Sequence, residues 1–121
     1  MKHIKLIAAA ALVMAATPAF AVNWVLVTYS GKIAYEVDVS SIKKLGPNVK
    51  RAWTRFSFPN ETRKPLSLEE FNCLLEENRN TYSAMENEDG LEGPPVRNKY
   101  DDWRPVAPGT AGQIMLQFVC K

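Results

Sequence analysis

Residues 108–121 read PGTAGQIMLQFVCK, an apolar run with a cysteine one residue from the chain terminus. Chain ends fray unless something ties them down, so the position of Cys120 asks for a partner. Thr110 followed three residues later by Gln113 fits a capping box, in which hydroxyl and amide each satisfy an orphan backbone N–H at a helix start. Pro108-Gly109 marks the chain entry just before it. On a helix, Gln113, Gln117 and Lys121 form one narrow polar stripe, while Ala111, Ile114, Met115, Leu116, Phe118 and Val119 cover most of the rest. Such a helix must be packed over most of its girth. Ile114, Leu116, Phe118 and Cys120 also alternate as a strand would. The capping signal has no role in a strand and favours the helix. A helix of about three turns is marginal alone in water, so it needs a sheet beneath it and a bond at its end.

The other end of the chain says where that bond would form. Lys2, His3 and Lys5 precede the continuous apolar run from Leu6 to Ala16, and Ala19-Phe20-Ala21 supplies small residues for a signal peptidase. The pattern is that of a secretory signal peptide over residues 1–21, leaving residues 22–121 as a single domain. The apolar run is shorter than the roughly 20 residues that span a bilayer. No cysteine follows the cleavage site to carry a lipid. The expected product is therefore periplasmic or secreted, and any association with the cell surface would be made without a lipid anchor.

Cleavage changes the charge balance. Of the 15 basic residues, Lys2 and Lys5 leave with the segment, so those remaining equal the 13 acidic ones and the formal net charge falls to zero. A global attraction to nucleic acid or to a membrane surface has no support. His3, the single histidine, leaves as well, which removes Ser-His-Asp and Cys-His catalysis. Cys73 and Cys120 are the two cysteines; in an oxidising compartment an even count reads as a disulfide. No glycine-rich phosphate loop appears, and no cofactor is implied. A carboxylate pair is not excluded by composition, but the acids sit mainly in solvated runs, so the expectation is a protein that is not an enzyme.

Between these ends the chain reads as strands. Residues 23–30, NWVLVTYS, and 33–38, IAYEVD, flank a Ser30-Gly31-Lys32 turn and make a hairpin. Residues 49–58, VKRAWTRFSF, alternate: Val49, Arg51, Trp53, Arg55 and Ser57 on one face, Ala52, Thr54, Phe56 and Phe58 on the other. Leu66 to Leu75 fits either a strand or, through Leu68, Phe71 and Leu75, a helix. Residues 78–88 read as a strand that ends near Asp89-Gly90, and residues 90–108 are irregular.

This ordered set resembles the surface-adhesin protein E family of bacterial exported proteins. The resemblance is carried by Asn23-Trp24-Val25, Tyr35, Asp38-Val39-Ser40-Ser41-Ile42, Val49 to Trp53, Glu70-Phe71-Asn72-Cys73, Tyr82, Trp103, Pro108-Gly109-Thr110 and Cys120. It implies an α+β fold: a curved antiparallel β-sheet with a C-terminal α-helix on its concave face, held by the Cys73–Cys120 disulfide, with Leu66–Leu75 in a strand. It also implies attachment to host extracellular-matrix or serum proteins. The chain departs from the family's lipid-anchored namesake in lacking the lipidation cysteine. The alternative expectation is a periplasmic structural or assembly component with the same fold and no host contact. Neither reading sets the oligomeric state, and a dimer is compatible with both.

The strongest binding candidate is the row Arg51, Trp53 and Arg55, two cations about a flat aromatic that would suit an acidic protein or an acidic glycan. Its ordinary alternative is a covered sheet face with arginine stems lying on tryptophan. Lys43, Lys44 and Lys50 either extend that patch or blunt an edge. Tyr100 and Asp101, in the irregular loop beside Trp103, form a second candidate, with Trp103 itself expected to pack. Glu86, Glu88, Asp89 and Glu92 cluster about Gly90 without the spacing of a calcium loop and read as a solvated hairpin tip.

Overall fold

The computed structural model describes residues 21–121; the expected signal peptide, save its last residue, lies outside the described residues. Strands β1 (Trp24–Ser30) and β2 (Ile33–Asp38) form the expected hairpin. Its turn is Gly31-Lys32, and Gly31 at φ +61° supplies the positive φ that a type II′ hairpin demands at its first central position. A single 3₁₀ turn, Val39–Ser41, leads to β3 (Lys43–Lys44) and β4 (Val49–Ser57). Then come β5 (Lys64–Asn72), β6 (Glu77–Asn87), the short β7 (Gly90–Leu91), β8 (Val96–Arg97) and β9 (Arg104–Pro105), and the helix α1 (Ala111–Cys120). All strands join one antiparallel sheet in the order β1-β2-β4-β5-β6-β7, with β3 on β4 and β8 and β9 on β6.

The ambiguous segment resolves as strand up to Asn72. Its helical spacing loses because β4 and β6 pair with it along both sides, and a central strand satisfies every backbone group that a lone helix would satisfy only internally. Phe71, fully buried, faces the helix, and Leu75 is left exposed. The strand stops where the Asn72 side chain accepts from the backbone N–H groups of Leu74 and Leu75, at 3.1 and 2.9 Å, an Asx turn that competes with the ladder. Cys73 thus sits in the turn at the strand's end.

The D-V-S-S segment has a mechanical role. Asp38 Oδ1 accepts from Asn23 N at 2.9 Å, Ser40 N at 3.0 Å and Ser40 Oγ at 2.6 Å. Ser41 Oγ accepts from Trp53 N at 2.9 Å while donating to Asp38 O at 2.7 Å. β2 and β3 lie end to end along β4, and the Ser41 hydroxyl fills the gap in the ladder between them.

The C-terminal helix is capped as expected at its first residue: Thr110 Oγ1 accepts from Gln113 N at 3.2 Å. The Gln113 side chain reaches one residue further back than a capping box requires, accepting from Gly109 N at 2.8 Å. Met115, Leu116 and Val119 are buried against Val37, Ala52 and Phe71. Each such side chain contributes about 1.5–3 kcal/mol relative to exposure, which is what stabilises a helix too short to stand alone. The Cys73–Cys120 disulfide closes the arrangement, with Cα atoms 5.7 Å apart. The α+β architecture of an open antiparallel sheet with one stapled C-terminal helix is thus the one the family resemblance implied.

One acid lies beneath this core. Glu69, nearly inaccessible, has no cationic partner among the described residues: its Oε1 accepts from Thr54 Oγ1 at 2.8 Å and its Oε2 from Asn78 Nδ2 at 3.0 Å. Burial pushes its carboxyl above the ordinary 4.5, against the two hydrogen bonds.

Two outcomes are expected. Cys120→Ser lowers stability by up to about 4 kcal/mol, the chain-entropy ceiling for a loop of this size, and the amides of Phe118 to Cys120 lose exchange protection first. Helix amides that exchange as slowly as in the wild type would contradict this. For Glu69, the folded state holds the proton more tightly than the unfolded one, so stability declines as pH rises from about 4.5 through the raised folded value. Glu69→Gln removes that decline and is the more stable form at neutral pH, as urea titrations across the range would show.

Candidate binding surface

The parity that places Ala52 and Thr54 under the helix turns Arg51, Trp53 and Arg55 to the opposite face of β4. Cross-strand pairing sets Glu36 of β2 beside Arg55, and Leu66, Leu68 and Glu70 of β5 beside Arg55, Trp53 and Arg51. The three residues therefore share a face, but they do not form a row of free cations.

Arg55 is neutralised. Its Nε donates to Glu36 Oε1 at 2.9 Å and its Nη1 to Glu86 Oε1 at 2.8 Å, with its side chain only 12% exposed. The guanidinium lies 4.3 Å from the ring centroid of Trp24, so the tryptophan it stacks on comes from β1 and not from its own strand. Burial would raise the Glu36 carboxyl, but the hydrogen bond and charge of Arg55, with Ser57 and Lys64, hold it below the ordinary 4.5. Desolvation would lower Arg55, and the two carboxylates outweigh it and hold it above its usual range. The expectation that Arg55 offers its charge to an anion is corrected here: two acids already claim it, and a cross-strand pair is invisible in a single strand's alternation.

Around this cluster the sheet forms an open groove of about 490 Å³. Trp24, Trp53 and Leu66 line it with Arg55 and Glu86, and Leu91 and Pro95 from the segment after β6 add to its wall. A concave, mostly apolar site with a few convergent polar groups is the usual form of a binding site. Arg51 lies on the same face beyond Trp53 and half-buried.

Tyr100 and Asp101 sit elsewhere. Tyr100, 72% exposed, lines a smaller polar depression of about 250 Å³ with Asn78, Asn80, Asp102 and Arg104. Asp101 accepts from Arg97 Nη2 at 3.4 Å, and Arg97 reaches Tyr82 on β6. Trp103 packs beneath the Arg79 guanidinium, 4.5 Å from the ring centroid, while Arg79 binds Glu70 at 2.8 Å. The acids about Gly90 disperse: Glu86 goes to Arg55, Glu92 makes a two-pronged pair with Arg63, and Glu88 and Asp89 remain in the exposed turn. Sequence reasoning missed the pairs Trp24–Arg55 and Trp103–Arg79. Trp24 and Arg55 lie on β1 and β4, which β2 separates, and Trp103 lies in the irregular segment before β9, so neither pair leaves a local signal in the sequence.

An open antiparallel sheet with one face stapled to a helix and the other carrying an aromatic groove defines a small, rigid binding scaffold. The chain belongs to the surface-adhesin protein E family, whose family model matches residues 24–121. No curated protein and no solved structure matches it. Membership in a family of surface adhesins indicates a surface or exported protein of adhesin type. Among the described residues no helix is long and apolar enough to cross a membrane.

Removing Arg55 tests the cluster. Arg55→Ala leaves Glu36 and Glu86 facing one another without their cation and costs about 2–3 kcal/mol at pH 7. Because Glu36 titrates below 4.5 in the folded state, its contribution is present above that pH and lost as pH falls through the lower folded value. The variant's deficit therefore shrinks in acid, which denaturation at pH 7 and pH 3 would reveal.

Proposed function

We propose that this protein is an exported, non-enzymatic binding domain that attaches to host extracellular-matrix or serum proteins through the helix-free face of its sheet. The observation that carries this reading is the groove: Trp24 and Trp53 stand on a sheet stiffened from behind by a disulfide-bound helix. Tryptophan and arginine dominate binding hot spots because they offer large flat area at low entropic cost when held in place. Trp53 is the central contact and Arg51 its charged neighbour, extended by Lys43, which pairs with Arg51 in the ladder. Acidic side chains or an acidic glycan on the partner meet Arg51 rather than the neutralised Arg55. Tyr100, in its separate depression, and the neighbouring Asp101 form a second contact.

Solid-phase binding to immobilised matrix and serum proteins tests this. Trp53→Ala with Arg51→Glu is expected to weaken binding about thirtyfold, the loss of one strong hot spot of about 2 kcal/mol, and Tyr100→Ala with Asp101→Ala to weaken it less. Equal binding by all forms would overturn the site. No binding by any form, or confinement of the protein to the periplasm on fractionation, would overturn host attachment and favour an assembly role.

A further inference from the structure

We propose that the outer edge of β1 is a strand-accepting site. It takes an extended, uncharged segment of a partner polypeptide as the next strand of the sheet, with alternate side chains of that segment resting beside the groove. The proposal deepens the reading of the helix-free face as the binding surface, because it names how a partner would engage it.

The two edges of the sheet differ. The outer side of β6 is covered in succession by β9, β8 and β7, which pair with Glu77-Asn78, Tyr82-Ser83 and Glu86-Asn87. β1 pairs, among the described residues, with β2 alone. Among the described residues, the one hydrogen bond its backbone receives outside that ladder comes from its own Thr28 hydroxyl, to Tyr29 O at 3.4 Å. Composition differs in a similar way. Two of the three segments that cover β6 carry residues that block edge pairing, Arg97 in β8 and Arg104-Pro105 in β9. Lys43-Lys44 does the same in β3, which continues the line of β2 along β4. β1, WVLVTYS, has seven residues and neither a charge nor a proline.

The apolar side chains of β1 fall on the groove side. Trp24 pairs with Asp38 and Leu26 with Glu36, on the face that carries Arg55. A bulge between Leu26 and Thr28 then shifts the register, so that Tyr29, opposite Ala34, returns to that same face. Leu26 is 47% exposed and Tyr29 61%. Val27, by contrast, packs toward the helix-side core. The result is a row of Trp24, Leu26 and Tyr29 along an open edge, running into the groove at its Trp24 end.

This geometry selects its occupant. Roughly every second residue of an edge strand presents both its N–H and its C=O outward, and only another extended polypeptide matches that spacing of donors and acceptors. The absence of charge on β1 favours an uncharged segment, and the apolar row favours apolar side chains at alternate positions. Main-chain pairing then supplies affinity and the groove supplies selectivity, as in other cases of strand addition.

The test uses the disulfide-bonded protein and a synthetic peptide of about ten residues alternating threonine and valine, the shortest probe that spans such an edge. A twin peptide carries methyl groups on alternate backbone nitrogens, so it keeps the side chains and loses the donors. The parent peptide is expected to slow amide exchange in β1 and shift Trp24 fluorescence. The twin should bind at least about tenfold more weakly, and Leu26→Lys with Tyr29→Lys should weaken the parent to a similar degree. Equal binding by the twin would overturn the proposal, since side chains alone would then suffice. So would absence of binding, or a self-association of the wild type that the two lysines abolish, which would assign the edge to a second copy. If the peptide fails while matrix binding still depends on Trp53, the edge proposal falls alone. If the peptide binds and no matrix protein does, the edge stands and the host partner falls.

Discussion

The bond between Cys73 and Cys120 joins the turn after a central strand to the last residue of a helix that cannot hold itself together. Everything on the helix side of the sheet follows from that union. Met115, Leu116 and Val119 meet Val37, Ala52 and Phe71 only while the helix lies across the sheet, and the covalent link keeps it there by restricting the unfolded chain. A three-turn helix and a single open sheet each bury too little to persist apart. Joined, they cover one face of the sheet and leave the other free for contact.

That free face is organised by electrostatic pairing rather than by apolar packing. Arg55 sits between Glu36 and Glu86 and stacks on Trp24, so residues from three other strands depend on one guanidinium. Arg79 repeats the pattern with Glu70 and Trp103 near the sheet's other end. Planar guanidinium groups suit this role because they accept carboxylates in their plane and aromatic rings on their face at the same time. The tryptophans are thereby held in position before any partner arrives, which lowers the entropic cost of using them in an interface.

The corner at Asp38 links the two faces. Its carboxylate holds the start of β1 and the 3₁₀ turn together, while Ser41 completes the ladder at the backbone of Trp53. A serine-rich corner therefore positions the edge strand at one end of the groove and the groove's own tryptophan at once. The same economy governs the far edge, where the irregular segment after β6 returns three times to cover one strand.

Much of this was legible along the chain. The hairpin about Gly31, the alternation of Val49 to Ser57 and the capped helix from Thr110 follow from local chemistry: turn geometry, side-chain period and the hydrogen bonds of a helix start. These act over a few residues, so a few residues suffice to read them. The pairing of the two cysteines followed from count and compartment, and Trp53 from its parity on β4. The tertiary structure alone decided the rest. Residues 66–75 became strand because β4 and β6 flank them, a choice their own periodicity leaves open. Arg55 lost its free charge to Glu36 and Glu86, which lie 19 and 31 residues away along the chain. Tyr100 was separated from the groove, and Trp24 was drawn into it. Each of these outcomes depends on which strands become neighbours, and neighbours are set by the whole sheet's burial and not by any one segment.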